Sequence, residues 1–459
     1  MWVPDISKIE GPRYIALARA INEAIDSGAL PPGAQLPPQR NLAKQLNVTV
    51  GTVGRAYKVV RERRLVSGEI GRGTFVRGNA EEDGFPSYLP SLKPGTVDFA
   101  LFGANFQGLS QALSNAVSEV SNCMSLMPMN RYPPAAGFPT HCTAGATWIA
   151  RSGFEPQATR VVFCNGVQQG LMAVCLALLD RGDGEILCEE ITYSGLKALS
   201  AIIGMRLRGI EIDEFGLVPE ALEKAISESK SRILYMQPEV HNPTGASMPT
   251  ARRREIADIA IRHGITIIED DGSVGGITDR ALPIASLAPT NVIYMTGFAK
   301  CISPALRAGY MACPPQYYDR IVNTLHAMTL ANSPIVGEVA ANLVNSGVAD
   351  MLANLHFAAL RESHKVANKA LGSTPYSSHP AGSFIWFKLP EHWTSREFVD
   401  AARGMGISIT PSENHTASGL PPRAVRIAIN PLQKPEMIES GIAQLKQLLG
   451  ERATPILTV

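Results

Sequence analysis

Lys300, in "MTGFAKCISPALRAGY" (295–310), is a single amine among small and apolar neighbours, just after "NVIYM", which reads as a buried strand. An amine in an apolar setting is held less well as an ammonium, so its pKa falls and it can form a Schiff base. Other groups suit the same chemistry. Asn165 and Gly166 follow the strand-like "VVFC" and precede "VQQG", so the backbone N–H groups of Val167 and Gln168 open a helix whose positive end suits a phosphate. Arg307 could clamp that anion with its planar fork. Tyr193, after "EILCEE", offers a ring face, and Asn242, in "HNPTG", an amide. Asp270 and Asp271, after "TIIE", offer carboxylates, and an acid there can pair with a protonated pyridine nitrogen. The set describes a pyridoxal phosphate pocket. Singly, each group has a plainer reading: an N-P-T-G string is usually a turn, an acid pair a cap or ion pair, a tyrosine in "TYSG" packing, a lone lysine a snorkelling surface residue.

For these groups to meet, strand ends must carry them to one edge of a sheet. The body alternates strand and helix patterns: "RVVFCNG", then "VQQGLMAVCLALLDRG" with Leu171, Val174, Cys175 and Leu178 on one face, then "EILCEE" and "RILYMQP". "TARRREIADIAIRHG" reads as a helix with Thr250 as N-cap and Gly264 at its end, followed by the strands "ITIIED" and "NVIYMTG". This order predicts an α/β fold with a mostly parallel sheet covered on both faces, whose ligands collect at the carboxyl ends of strands. After about residue 320 helices are followed by short strands such as "GSFIWFKL" and "AVRIAI", which predicts a smaller C-terminal α+β lobe.

The 459 residues suit two or three domains. Charge divides them unevenly: residues 1–78 hold 12 Lys+Arg against 6 Asp+Glu, and the remainder 30 against 35. A basic front module ahead of a mildly acidic body suits a nucleic-acid reader. Between about 78 and 97, "GNAEEDGFPSYLPSLKPGTV" loses periodicity and reads as a linker. The expected domains are therefore 1–77, a linker over 78–97, and 98–459. The seven cysteines are scattered without a C-x-x-C pair, against a disulfide framework or a zinc site. With no apolar run of bilayer length and no secretion signal, the expectation is a cytosolic protein without a membrane partner or metal.

The front module reads as three helices and a hairpin. "GPRYIALARAINEAIDSG" places Tyr14, Leu17, Ala18, Ile21, Ala24 and Ile25 on one face, with Gly28 as its C-terminal cap. "QRNLAKQL" buries Leu42, Ala43 and Leu46, and Asn47 and Thr49 close it and cap the next helix. In "VGTVGRAYKVVRERR", Val53, Ala56, Tyr57 and Val60 point inward, leaving Gly51, Thr52, Arg55 and Lys58 outside. "LVSGEIGRGTFV" reads as two strands around a turn tipped by Arg72.

"LPPQRNLAKQLNVTVGTVGRAY" with "GRGTFV" resembles the winged helix-turn-helix domain of GntR transcription regulators, and 98–450 resembles a fold-type-I aminotransferase. The whole chain resembles the MocR subgroup, which fuses the two. The first resemblance implies DNA contacts by Arg40, Thr49, Thr52, Arg55, Arg72 and Gly73, some fixing register on the backbone and others reading base edges. The second implies that Lys300 holds pyridoxal 5'-phosphate as an internal aldimine. It also implies that Asp270 pairs with the pyridine nitrogen, Asn242 bonds the phenolic oxygen, Tyr193 stacks on the ring, and Val167, Gln168 and Arg307 hold the phosphate. Arg426, in "VRIAIN", matches the arginine that grips an α-carboxylate, and Tyr132, in "RYPPAAG", the tyrosine that reaches a neighbouring subunit's phosphate, which implies a shared-site homodimer.

Several positions depart from these patterns. Val50 stands where GntR proteins often carry arginine, Gly51 and Gly54 lower helix propensity, Gly272 replaces a tyrosine that bonds the phenolic oxygen, and Gly297 replaces a hydroxyl three residues before the lysine, with Thr296 the candidate substitute. The expected function is transcription regulation switched by pyridoxal phosphate or a small amino-compound effector at Lys300. A working aminotransferase with an accessory DNA-binding domain is the alternative, and a cofactor-free dimerisation scaffold a third reading.

Overall fold

The computed structural model describes residues 2–6, 11–26, 29–31, 33–62, 65–69, 73–76, 96–103, 108–123, 130–179, 184–277, 279–429 and 433–451. The chain divides into two compact units, Met1–Leu92 and Lys93–Val459. Gly28, Arg72 and most of the expected linker lie outside the described residues.

In the first unit α1 (Arg13–Asp26), α2 (Gln39–Gln45) and α3 (Val50–Glu62) precede an antiparallel hairpin of β1 (Val66–Glu69) and β2 (Gly73–Val76). The inward faces read from periodicity form its core: Leu17, Ala18, Ile21, Leu42, Ala43, Val53, Ala56, Tyr57 and Val60 are all buried, joined by Val66 and Val76 of the hairpin. Tyr57 donates its hydroxyl to Pro37 O at 2.6 Å, tying α3 to the turn before α2 and satisfying a polar atom inside an apolar core. Asn47 closes α2 in the left-handed region (φ 50°), and Thr49 Oγ1 accepts the N–H of Thr52 at 3.1 Å as the cap of α3.

The second unit is built on a seven-stranded sheet. Its spatial order is Val161–Cys164, Gly309–Ala312, Val292–Gly297, Thr266–Asp271, Ile233–Met236, Glu185–Glu189, Arg206–Ile210. Gly309–Ala312 runs antiparallel to both its neighbours and the other pairings are parallel. Strand alternation feeds two cores: Phe163 and Ile267 face one, Val162 and Ile268 the other. Helices including Val167–Leu178 and Thr250–His263 supply the covering layers that a doubly buried sheet requires.

A second antiparallel sheet, ordered Tyr376–Ser378, Phe384–Lys388, Ala424–Ala428, Thr410–Pro411, packs with the helices Ser395–Gly404 and Pro435–Leu449 around a third core. The 24-residue helix Val348–Leu371 joins the two parts, with Leu352, Phe357 and Leu360 in the sheet core and Ala367 and Leu371 in the small-lobe core. One expected cap is misplaced. Thr250 is the first helical residue and Pro249 stands at the N-cap (φ −69°, ψ 155°). Proline's fixed φ suits that extended cap position, and the threonine hydroxyl, one residue inside, makes no cap bond.

Candidate functional site

The carboxyl ends of the parallel strands open on a cavity of about 250 Å³ lined by, among others, Val167, Gln168, Tyr193, Asn242, Asp270, Lys300 and Arg307. At one end the chain leaves Val161–Cys164 and turns at Gly166 (φ 80°, ψ 161°) into Val167–Leu178, a helix start with no side-chain cap. The free N–H groups of that first turn form a positive end. Arg307, itself left-handed (φ 51°), lies against this turn, its Nη2 3.4 Å from Asn165 O. A phosphate fits here: amides, helix dipole and guanidinium converge.

At the other end Asp270 is buried at the end of Thr266–Asp271. Its Oδ2 accepts from Tyr235 Oη at 2.7 Å and Gln237 Nε2 at 2.9 Å, which leaves Oδ1 for a proton borne by a ligand. Burial pushes its pKa up to about 6, against the lowering effect of those two bonds. Gln237 Oε1 also accepts the N–H of Asn242 at 3.2 Å, so one amide ties the two residues together. Asn242 Oδ1 accepts from Arg426 Nη1 at 3.3 Å, which assigns Nδ2 as its donor. Burial raises the Tyr193 phenol, and Asp270 nearby adds to the effect. The Tyr193 ring packs over Gly195, where a Cβ would stand 2.2 Å from Cε1.

Lys300 projects between these ends. Water reaches its side chain through the open cavity, yet Nζ lies 4.1 Å from the centre of the Phe102 ring. The protein packed around it, reinforced by the charge of Arg426 and opposed by Asp270, lowers its pKa to about 8. The neighbouring acid serves differently. Burial pushes the Asp271 pKa up, but Arg280, Tyr294 and Ser273 outweigh it and hold the carboxyl below its ordinary value. Tyr294 donates to Asp271 Oδ2 at 2.6 Å, and Arg280 pairs with the same oxygen. Asp271 is therefore a structural anion behind the cavity.

In the first unit Arg55 and Lys58 are exposed on α3, with Thr52 half-buried beside them, while Arg40 on α2, Thr49 and Gly73 are exposed.

Residues 103–445 match the family described as Aminotransferase class I and II, and residues 13–76 the one described as Bacterial regulatory proteins, gntR family. An HTH-type transcriptional regulator of Bacillus subtilis (strain 168), YdeF, is 31% identical over 98% of this chain and 97% of its own. The chain is a gntR-family regulator of the MocR type. Two solved structures share the fold of its larger unit. An archaeal alanine:glyoxylate aminotransferase is 21% identical with a TM-score of 0.71, covering 77% of this chain and 90% of its own. The α-aminoadipate aminotransferase LysN of Thermus thermophilus, complexed with N-(5'-phosphopyridoxyl)-L-leucine, is 23% identical with a TM-score of 0.70, covering 78% and 93%. The gntR domain makes this regulator a DNA-binding protein. Among the described residues no helix is long and apolar enough to cross a membrane.

Of the residues expected around the cofactor, this regulator gathers Val167, Gln168, Tyr193, Asn242, Asp270, Lys300 and Arg307 in one cavity, with Arg426 behind Asn242. Tyr132 is elsewhere, 76% exposed. Gly272 lines the cavity against Lys300, where a Cβ would meet Lys300 Cγ at 3.4 Å, an ordinary contact. Position 297 is tighter, since a Cβ there would stand 3.0 Å from Ala308 O. Thr296 is fully buried on the opposite face of its strand, so alternation denies it the place of a hydroxyl at 297. Sequence reasoning missed Phe102, Tyr235, Gln237 and Arg280.

Proposed function

We propose that this regulator binds pyridoxal 5'-phosphate at Lys300 and reads an amino compound there, with a change in its affinity for DNA as the output. The observation that carries this is the meeting of Lys300 and Asp270 in one cavity with the Gly166 helix start and Arg307. The donor set fits the group: a positive end for the phosphate, a buried carboxylate for the ring nitrogen, Asn242 for the phenolic oxygen and an amine of lowered pKa. Bound there, the cofactor supplies an aldehyde with which amines condense.

The chain's own residues then divide the work. Val167 N–H, Gln168 N–H and Arg307 bind the anion, and the Tyr193 ring stacks on the flat face. Asp270 holds a proton on the ring nitrogen. Arg426, flanking Asn242, receives a carboxylate, which makes amino acids a better class of effector than plain amines. Exposed Tyr132 suits a reach into a second copy, and a homodimer would present two winged helices to paired half-sites. An effector shifts DNA affinity only to the extent that it binds two arrangements unequally.

The test is titration of the full chain with pyridoxal phosphate and then amino acids, following visible absorbance and affinity for an operator fragment together. The expected result is a spectral change coupled to a change in DNA affinity, without repeated turnover. Sustained conversion of amino donor and keto acid would make the chain an aminotransferase, and DNA affinity indifferent to every ligand would contradict the sensor reading.

A further inference from the structure

The segment Asp98–Phe102 reaches the site from outside the strands that build it. Val97–Asp98 pairs in parallel with Ile407–Ser408. Phe99, fully buried, is pinned on both sides: its N–H donates to Ser408 O and its carbonyl accepts from Ala428 N, each at 2.7 Å. Beyond this pin the chain turns, with Asp98 Oδ1 accepting the N–H groups of Ala100 at 2.8 Å and Leu101 at 3.2 Å. The turn delivers Ala100 O to Arg426 Nη2 at 3.0 Å and the Phe102 ring to Lys300 Nζ at 4.1 Å. Two functional groups of the site are thus engaged by the chain itself.

The arginine fork makes this engagement selective. A carboxylate held by two parallel bonds takes either Nε and Nη2 or Nη1 and Nη2, and both pairs need a proton of Nη2. At Arg426 both Nη2 protons have acceptors, Ala100 O at 3.0 Å and Thr410 Oγ1 at 3.3 Å. Nε is buried without a partner among the described residues, which leaves one donor of the fork unused by the chain. Thr410 is buried in the small-lobe sheet in register with Arg426, whereas Ala100 lies past the Phe99 pin. A polar groove bounded by Ala100, Thr410, Arg396 and Arg403 lies beside Ala100.

We propose that Ala100–Phe102 is a strap that determines ligand specificity: it engages Arg426 and Lys300, and a ligand bringing a carboxylate to Arg426 displaces it. An amine without a carboxylate leaves the Ala100 bond in place. The proposal rests on the assignment of Lys300 and Arg426 as the ligand site. Attachment of a cofactor to Lys300 removes the ammonium from beneath Phe102 and loosens that anchor, so the Ala100–Arg426 bond is the one that discriminates.

The test compares two probes on the full-length ligand-free protein: pyridoxamine phosphate and phosphopyridoxyl-glycine, which has the same ring and phosphate plus a carboxylate. Hydrogen exchange of amides 100–102 is read by mass spectrometry. The glycine adduct should speed that exchange about tenfold relative to pyridoxamine phosphate. Equal exchange with both probes bound overturns the strap and leaves the cofactor site standing. Failure of both to bind, read from pyridoxyl fluorescence, overturns the site and the strap with it. Arg426→Gln supplies a readout without ligand: exchange at 100–102 should rise about tenfold while the peptide spanning Val292–Gly297 stays protected. Unchanged protection at 100–102 in this folded variant also overturns the proposal.

Discussion

A Cβ placed on Gly166 would stand 2.6 Å from Arg307 Nη2. Position 166 is constrained twice, because its φ of 80° also lies where side chains are strained. Gly166→Ala should destabilise the larger unit by about 1–2 kcal/mol and push the guanidinium from the helix start. The paired readouts are the thermal midpoint and pyridoxal phosphate affinity, both expected to fall. Affinity unchanged would remove Arg307 and the first helical turn from the phosphate site.

The pH dependence of cofactor attachment follows from two displaced groups. Attack on an aldehyde needs the free amine, and with the Lys300 pKa lowered to about 8 that form becomes scarcer as pH falls below 8. The rate should climb about tenfold from pH 6 to 7 and level off above about pH 9, whereas an ordinary lysine would keep climbing toward pH 10. Asp270, raised to about 6, gains a proton as pH falls through that value and loses the charge that steadies a ring nitrogen. Affinity should therefore weaken below pH 6. Stopped-flow absorbance across this range checks both limbs.

Arg280 and Asp271 form an ion pair whose side chains are 6% and 2% exposed. Removing one partner strands a charge in the interior, at a typical cost of about 3–5 kcal/mol. Arg280→Leu should lose stability on that scale in denaturant unfolding, while a surface variant such as Lys365→Ala, whose partner Glu362 is equally exposed, should lose little. Equal losses would remove the buried pair from the support of the cavity.

On the DNA side, Arg55 is exposed on α3 in the face expected to enter a groove. Arg55→Ala should weaken operator binding, and if the side chain meets a phosphate the slope of log affinity against log salt should shrink by about 1. Binding isotherms at several salt concentrations read this. Unaltered affinity at every concentration would place the contact surface elsewhere.

The parts of this architecture legible in the sequence are those where a polar group interrupts an apolar pattern. Asn165, Asn242, Asp270 and Lys300 sit at or just beyond strand ends, and α3 separates Val53, Ala56, Tyr57 and Val60 from Arg55 and Lys58 by helical period alone. Tyr235 is not legible, because a strand tyrosine looks like any strand former until sheet register brings its hydroxyl to Asp270. Phe102 and Arg280 lie in segments without period, so only tertiary contacts reveal them. Thr250 misleads because a cap depends on backbone angles that Pro249 sets.

Replacing Lys300 with alanine in the full chain shows whether the sensor depends on this amine, with absorbance after pyridoxal phosphate and ligand-dependent operator binding measured on one preparation. The visible band and the ligand response should both vanish while basal DNA binding by the winged helix persists. A variant that keeps both the band and the ligand response would contradict that dependence.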